Sequence, residues 1–182
     1  MNDSIILDIP RVHSSIVRKS EEIGFTMPSD LYIGSFLKTL IASKPNGRFL
    51  EIGTGIGLSL SFLISIDNDQ QLTAIAENYF GDDQRVELIC ENGTEWVKGY
   101  TGEKFDLIFA DAWPGKYSEI DEVLDLIKVG GFYIVDDMTK QPNWPEGHEE
   151  NVKSLVAYLE KREDLTLTKL NWSTGVTMAV KN

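Results

Sequence analysis

The 182-residue chain is 42% hydrophobic and 25% charged, which supplies enough apolar material for one compact domain with a sizeable core. Its 17 basic and 29 acidic residues give a formal charge of −12, which argues against a broad phosphate-binding surface and so against DNA or RNA as a partner. A small nucleotide-like ligand stays open, because one pocket can be locally favourable within an acidic protein.

Cys90 is the sole cysteine, which excludes an intrachain disulfide or a multi-cysteine metal site and fits a reducing compartment. Its place in the apolar run "VELIC" reads as a small core residue. The amino terminus "MNDSIILDIP" carries no basic region followed by a long apolar run, so the expectation is a cytoplasmic protein with no membrane partner.

In chain order, Val12, Ile16, Val17 and Ile23 fall at helical spacing before Gly24, and a second helix is expected after Ser29, carrying Leu31, Ile33, Phe36, Leu37 and Leu40. These make a helical cap over residues 1–46, ahead of a core over 47–182. Five short apolar runs then read as strands: "RFLEIG" (48–53), "LTAIAE" (72–77), "VELIC" (86–90), "FDLIFAD" (105–111) and "FYIVDD" (132–137). Helical stretches separate several of them: "GLSLSFLISI", "SEIDEVLDLIK" and "EGHEENVKSLVAYLEKR". This alternation predicts an α/β fold with a doubly wound, mostly parallel sheet. "LTLTKLN" and "TGVTMAV" have only "WS" between them, too short for a crossover, so they are expected to pair as a carboxyl-terminal antiparallel hairpin. The "NYFGDDQ" connection between the second and third runs is too short for a helix, and one crossover helix is expected to be absent there.

The first strand runs into "EIGTGIG", with Glu51, Gly53, Gly55 and Gly57 opening a helix. Glycines at such a junction turn the chain sharply and let a ligand approach main-chain N–H groups. The third glycine of the dinucleotide fingerprint is missing, since Leu58 stands in its place. Glu51 would repel a pyrophosphate but suits the ammonium of an amino-acid moiety. Loop and glutamate together resemble motif I of the Rossmann-like S-adenosylmethionine-dependent methyltransferases, which implies donor contacts from Glu51, Gly53, Thr54, Gly55, Gly57 and Ser59. A tight turn with no ligand is the alternative.

Two strands end in acid: Asp111 after the fourth, Asp136 and Asp137 after the fifth. In a doubly wound sheet ligands sit beyond the carboxyl ends of the strands, at the switch point. Converging carboxylates repel unless protonated or bridged, and Mg2+ or another hard divalent ion is the natural bridge. Turn-capping and solvated roles for these aspartates are the alternative.

"FDLIFADAWPGKY", "VGGFYIVDDM" and "TMPSDLYIGSFL" resemble the metal-dependent O-methyltransferases of the catechol and caffeoyl-CoA type, over roughly residues 27–138. The resemblance implies Asp111, Asp136 and Asp137 as metal ligands, with Asp137 where the family has Asn. It implies a lysine base at the position of Pro114, from which Lys116 lies two residues on, either reaching the same space or standing as a surface lysine. It implies an acid for the donor ribose at Ala76 or its neighbour Glu77, and adenine contacts from Glu95 and Trp96, with plain core the alternative for Trp96; Trp113, beside Asp111, is placed either to wall off donor and acceptor or simply to pack. Trp144 and His148, in the loop after the fifth strand, are placed to shape a substrate pocket.

The function so implied is Mg2+-dependent methyl transfer from S-adenosylmethionine to a small hydroxylated acceptor, with Asp111 and Lys116 at the reacting end. A non-catalytic adenosyl-ligand-binding protein is the main alternative, motivated by Ala76, Pro114 and the absent helix. A nicotinamide oxidoreductase is a weaker one. A homodimer is compatible with the helical cap.

Overall fold

The computed structural model of the chain describes residues 5–6, 9–57 and 64–182. Among these, seven strands form one sheet: β1 (Phe49–Ile52), β2 (Ile64–Asp67), β3 (Glu87–Cys90), β4 (Phe105–Ala110), β5 (Ile127–Val135), β6 (Leu165–Leu170) and β7 (Val176–Lys181). They lie in the order β3-β2-β1-β4-β5-β7-β6. Neighbours among β1 to β5 pair in parallel, and β7 is antiparallel to both β5 and β6. The fold is therefore Rossmann-like, with the expected hairpin at one end. Strand order reverses between β1 and β4, which opens a crevice above their carboxyl ends.

Both faces of the sheet are covered, so its central strands are mostly apolar on both sides. Along β4, Leu107 and Phe109 point to one face, Ile108 and Ala110 to the other, and all four are buried. The first pair packs with Ile33, Leu37 and Ile41 of α2 (Leu31–Ala42) and Ala76 of α3 (Gln70–Phe80). The second packs with Val97 of α4 (Gly93–Gly99), Val123 and Leu124 of α6 (Ile120–Asp125), and Leu155 and Leu159 of α7 (His148–Leu159). The first helix, α1 (His13–Ile23), seats Ile16 against Ile56 of the glycine loop and Ile75 of α3, which joins the cap to the crevice. No described helix is long and apolar enough to cross a membrane.

Three expectations are corrected. "LTAIAE" is not a strand but lies within α3, where the Asp69 side chain caps the start by accepting from the N–H groups of Gln71 and Leu72. The second strand is "ISID", Ile64–Asp67, which the sequence reading had fused to the preceding helix. The α3 helix is thus the β2 to β3 crossover, and no helix is missing before β3. The short connection instead falls between β1 and β2, which leaves residues 53–63 to return from Ile52 to Ile64; most of the helix expected after β1, and Ser59 with it, lies outside the described residues. Finally, Cys90 is exposed, because β3 is an edge strand with one side unpaired.

Candidate functional site

The glycine loop leaves β1 at Gly53, whose φ of +104° is one that side chains rarely adopt, and a Cβ there would meet Asp111 C and Ala112 Cβ at 3.0 Å. Only glycine lets the ends of β1 and β4 lie this close, which puts Asp111 beside the loop. Asp111 N–H donates to Ile52 O at 2.9 Å and so fixes that approach. Glu51 is fully buried. Its Oε2 accepts from Ser65 Oγ at 2.6 Å, and that hydroxyl is 2.7 Å from Thr54 Oγ1. Glu51 therefore braces the loop from beneath, whereas Gly53, Thr54 and Gly55 line the cleft above it.

The cleft has two lobes that share Gly53, Asp67, Asn68 and Ala112. The larger, about 350 Å³, is walled by Phe25, Met27, Pro28 and Ser29 of the cap segment, by Asp69 and Leu72, and by Asp111 and Asp137. The smaller, about 310 Å³, is walled by Asn92, Gly93, Thr94, Trp113 and Pro114. Asp67, at the end of β2, stands at their junction. Its Oδ2 accepts from Gly55 N–H at 2.9 Å and its Oδ1 from Asp69 N–H at 2.8 Å, so it is held rigidly with lone pairs left for a ligand hydroxyl. Asp67 takes the strand-end place that the misassigned second strand had given to Ala76 and Glu77. Ala76 is fully buried and Glu77 exposed on α3, so neither meets the cleft. Glu95 is likewise exposed on α4 and Trp96 stacks on Tyr100 at 4.6 Å; their neighbours Asn92 to Thr94 line the lobe instead.

"WPGK" is the turn that brings Lys116 inward. The segment α5 (Trp113–Lys116) is non-helical inside, with Pro114 at φ −63°, ψ 131° and Gly115 at φ 82°, ψ −14°, the angles of a type II turn with proline and glycine in their preferred places. The buried Tyr133 hydroxyl donates to Gly115 O and pins it. Lys116 emerges 5% exposed, with Nζ 3.9 Å from Asp111 Oδ1 and 5.5 Å from the centroid of the Tyr117 ring. It is not a surface lysine. Burial pushes the Asp111 carboxyl well above its ordinary range; Lys116 pulls it back, and Asp136, Asp137 and Glu51 push it further up.

Asp136 and Asp137 follow β5 directly but face different tasks. Asp136 is 3% exposed; its Oδ1 accepts from Asp137 N–H at 2.6 Å and from the Thr174 hydroxyl in the β6–β7 turn. This holds Asp137 at φ +52° on the wall of the larger lobe. Burial raises the Asp136 carboxyl to about 6, against those two hydrogen bonds. Among the described residues no three His, Cys, Asp or Glu side chains are grouped so as to hold one ion. One oxygen of Asp136 is committed to local donors, and the buried ammonium of Lys116 is in ion-pair contact with Asp111.

Sequence reasoning missed a ring cluster that joins the strand-four motif to the "QPNWPEGH" loop. Tyr117 Oη is 3.0 Å from His148 Nε2, Trp113 meets the Tyr117 ring edge-on at 5.1 Å, and Trp144 packs on His148 at 4.6 Å. Burial lowers the His148 pKa, with Lys116 adding to the shift and Asp137 opposing it. Trp113 remains 55% exposed, an aromatic edge at the mouth of the smaller lobe.

An open α/β sheet with a glycine loop, a strand-end aspartate and a two-lobed cleft at its switch point defines a nucleotide-type ligand site. Comparison with known proteins supplies the family. The O-methyltransferase family matches residues 16–179, and the chain belongs to it. Its fold is also that of TomG, a Streptomyces achromogenes O-methyltransferase involved in tomaymycin synthesis and solved with S-adenosylmethionine. That likeness has a TM-score of 0.82 at 22% identity, over 99% of this chain and 93% of the other. An O-methyltransferase from Bacillus cereus, solved with S-adenosylhomocysteine, gives 0.82 at 18% identity over 99% and 94% of the two chains. A partial sequence match, 31% identical over 77 residues, links the chain to polyamine aminopropyltransferase 2 of Caldanaerobacter subterraneus subsp. tengcongensis, covering 35% of this chain and 26% of that protein. The chain thus matches only about a quarter of that relative's length.

Proposed function

We propose that the chain is an S-adenosylmethionine-dependent O-methyltransferase acting on a small hydroxylated acceptor. The charge of the larger lobe carries this reading. Asp67, Asp69, Asp111 and Asp137 line it, and no lysine or arginine does so among the described residues. Such a wall repels a pyrophosphate and attracts a ligand carrying an ammonium and a sulfonium, which disfavours a nicotinamide dinucleotide.

The donor, when bound, supplies a methyl group on a positively charged sulfur. Asp67 receives the ribose hydroxyls at the junction of the lobes, the Asn92 to Thr94 wall and Trp113 enclose the base, and the 53–55 loop lies along the amino-acid part. The acceptor enters beside Ser29, Met27 and Asp137. Asp111, which lines the lobe and is in ion-pair contact with Lys116, takes the acceptor hydroxyl proton. Holding the acceptor oxygen in line with the methyl group then contributes much of the rate.

The reasons for a non-catalytic reading weaken on this geometry. Ala76 is a core residue, the β2 to β3 crossover helix is present, and the type II turn brings Lys116 into ion-pair contact with Asp111. Incubation with S-adenosylmethionine and a panel of phenols, catechols and aliphatic alcohols tests catalysis. One O-methylated product formed in step with S-adenosylhomocysteine is expected; donor binding with no product from any class would return the non-catalytic reading.

A further inference from the structure

We infer that the acceptor end of the cleft works without a divalent ion, and that the ammonium of Lys116 supplies the positive charge there. The inference rests on the proposed function only for the identity of the acceptor oxygen. Its basis is the arrangement of four side chains.

Asp111 and Asp137 line the same lobe, and Asp136, directly before Asp137, is buried after β5, so these carboxylates call for a balancing cation. Lys116 is that cation: it is nearly fully buried and forms an ion pair with Asp111. A divalent ion bound by Asp111 would sit about 2 Å from its ligand oxygens and within a few ångströms of this ammonium, in a region where water screens little. The ammonium lies over the Tyr117 ring, 5.5 Å from its centroid, and the Pro114–Gly115 turn fixes the lysine's backbone.

The remaining ligands point the same way. Asp136 Oδ1 is occupied by the Asp137 N–H and the Thr174 hydroxyl, which makes Asp136 a positioning residue for Asp137 rather than a free metal ligand. At 3.9 Å from Asp111 Oδ1, Lys116 is in ion-pair contact but beyond hydrogen-bond length. Its charge therefore reaches the lobe through Asp111, which lines it, and favours negative charge as it develops on an acceptor oxygen there.

Titration of the full chain with Mn2+ alone, followed by the electron paramagnetic resonance signal of the free ion, with and without S-adenosylhomocysteine, tests this. No saturable site up to about 1 mM is expected; a single stoichiometric site below that concentration, lost in Asp136→Asn, would overturn the inference. Lys116→Met leaves three carboxylates uncompensated and is expected to gain Mn2+ affinity by about tenfold or more, whereas Lys116→Arg keeps the charge and gains none. Equal Mn2+ affinity in wild type and Lys116→Met would also overturn it. The wild-type titration needs no variant to fold. Binding of S-adenosylhomocysteine, measured in the same samples, reports on the donor reading separately, so loss of that reading leaves the metal result intact.

Discussion

Replacing Asp136 with asparagine keeps the side-chain shape and an acceptor oxygen for Thr174 and the Asp137 N–H, but removes a buried charge. A carboxyl held at about 6 against an ordinary 3.8 disfavours the anion in the folded state by about 3 kcal/mol, at 1.36 kcal/mol per tenfold. The folded pKa is the higher one, so the folded chain binds the proton more tightly and protonation stabilises it. That stabilisation is fully present below about pH 3.8 and is lost as pH rises through about 6. The Asp136→Asn variant has no such loss. Its advantage should be near zero at about pH 3.5 and approach 3 kcal/mol above about pH 7, partly offset because Lys116 loses a neighbouring anion. For a chain of this size that corresponds to a rise of roughly 5–10 °C in melting temperature. Scanning calorimetry across this pH range reads it directly. A melting temperature at about pH 7.5 equal to or below that of wild type, or a difference that does not change with pH, would refute the assignment of burial as the dominant influence on Asp136.

Three further predictions follow from local geometry. Asp67→Ala removes the carboxylate at the junction of the lobes together with its bonds to the Gly55 and Asp69 N–H groups, and should weaken S-adenosylhomocysteine by about 10–100-fold in calorimetric titration; an affinity within about twofold of wild type would remove Asp67 from the ribose site. Gly115→Ala places a Cβ at φ +82°, 3.0 Å from Ile52 Cδ1, and should cost about 2–4 kcal/mol from backbone strain and crowding together, read as a drop of roughly 5–15 °C in thermal denaturation. Tyr133→Phe leaves the buried Gly115 carbonyl without its hydroxyl donor and should cost about 1–3 kcal/mol in urea unfolding, with an unchanged midpoint arguing that the turn is held by other contacts.

The parts of the fold with long, strongly patterned signals were legible. Leu107 to Ala110 and Phe132 to Val135 are apolar at every position, as doubly covered parallel strands must be, and they lie as expected in β4 and β5. The hairpin was readable because the two runs lie too close in the sequence for a crossover between them. The second strand was not: "ISID" has four residues, too few to show a period, and it abuts an apolar run that suits a helix. "LTAIA" is equally short of distinguishing features until Asp69 is seen as its cap. That one slip carried the ribose position from Asp67 to Glu77.

At the acceptor end, Asp111, Asp136 and Asp137 were visible as strand-end acids, and "PG" announced a turn, but charge balance was not visible. Whether Lys116 points inward depends on Gly115 at positive φ and on Tyr133 from another strand. The commitment of Asp136 depends on Thr174, 38 residues away. The pairing of Tyr117 with His148 similarly spans 31 residues, with no pattern linking them in the sequence.

The central claim is that this acidic, two-lobed cleft binds an adenosyl donor carrying positive charge. Calorimetric titration of the full chain with S-adenosylmethionine, and in parallel with NADH, tests it most directly. The account predicts saturable one-site binding of S-adenosylmethionine, weakened in Asp67→Ala, and no heat of binding from NADH. Saturable NADH binding with none for S-adenosylmethionine would contradict it.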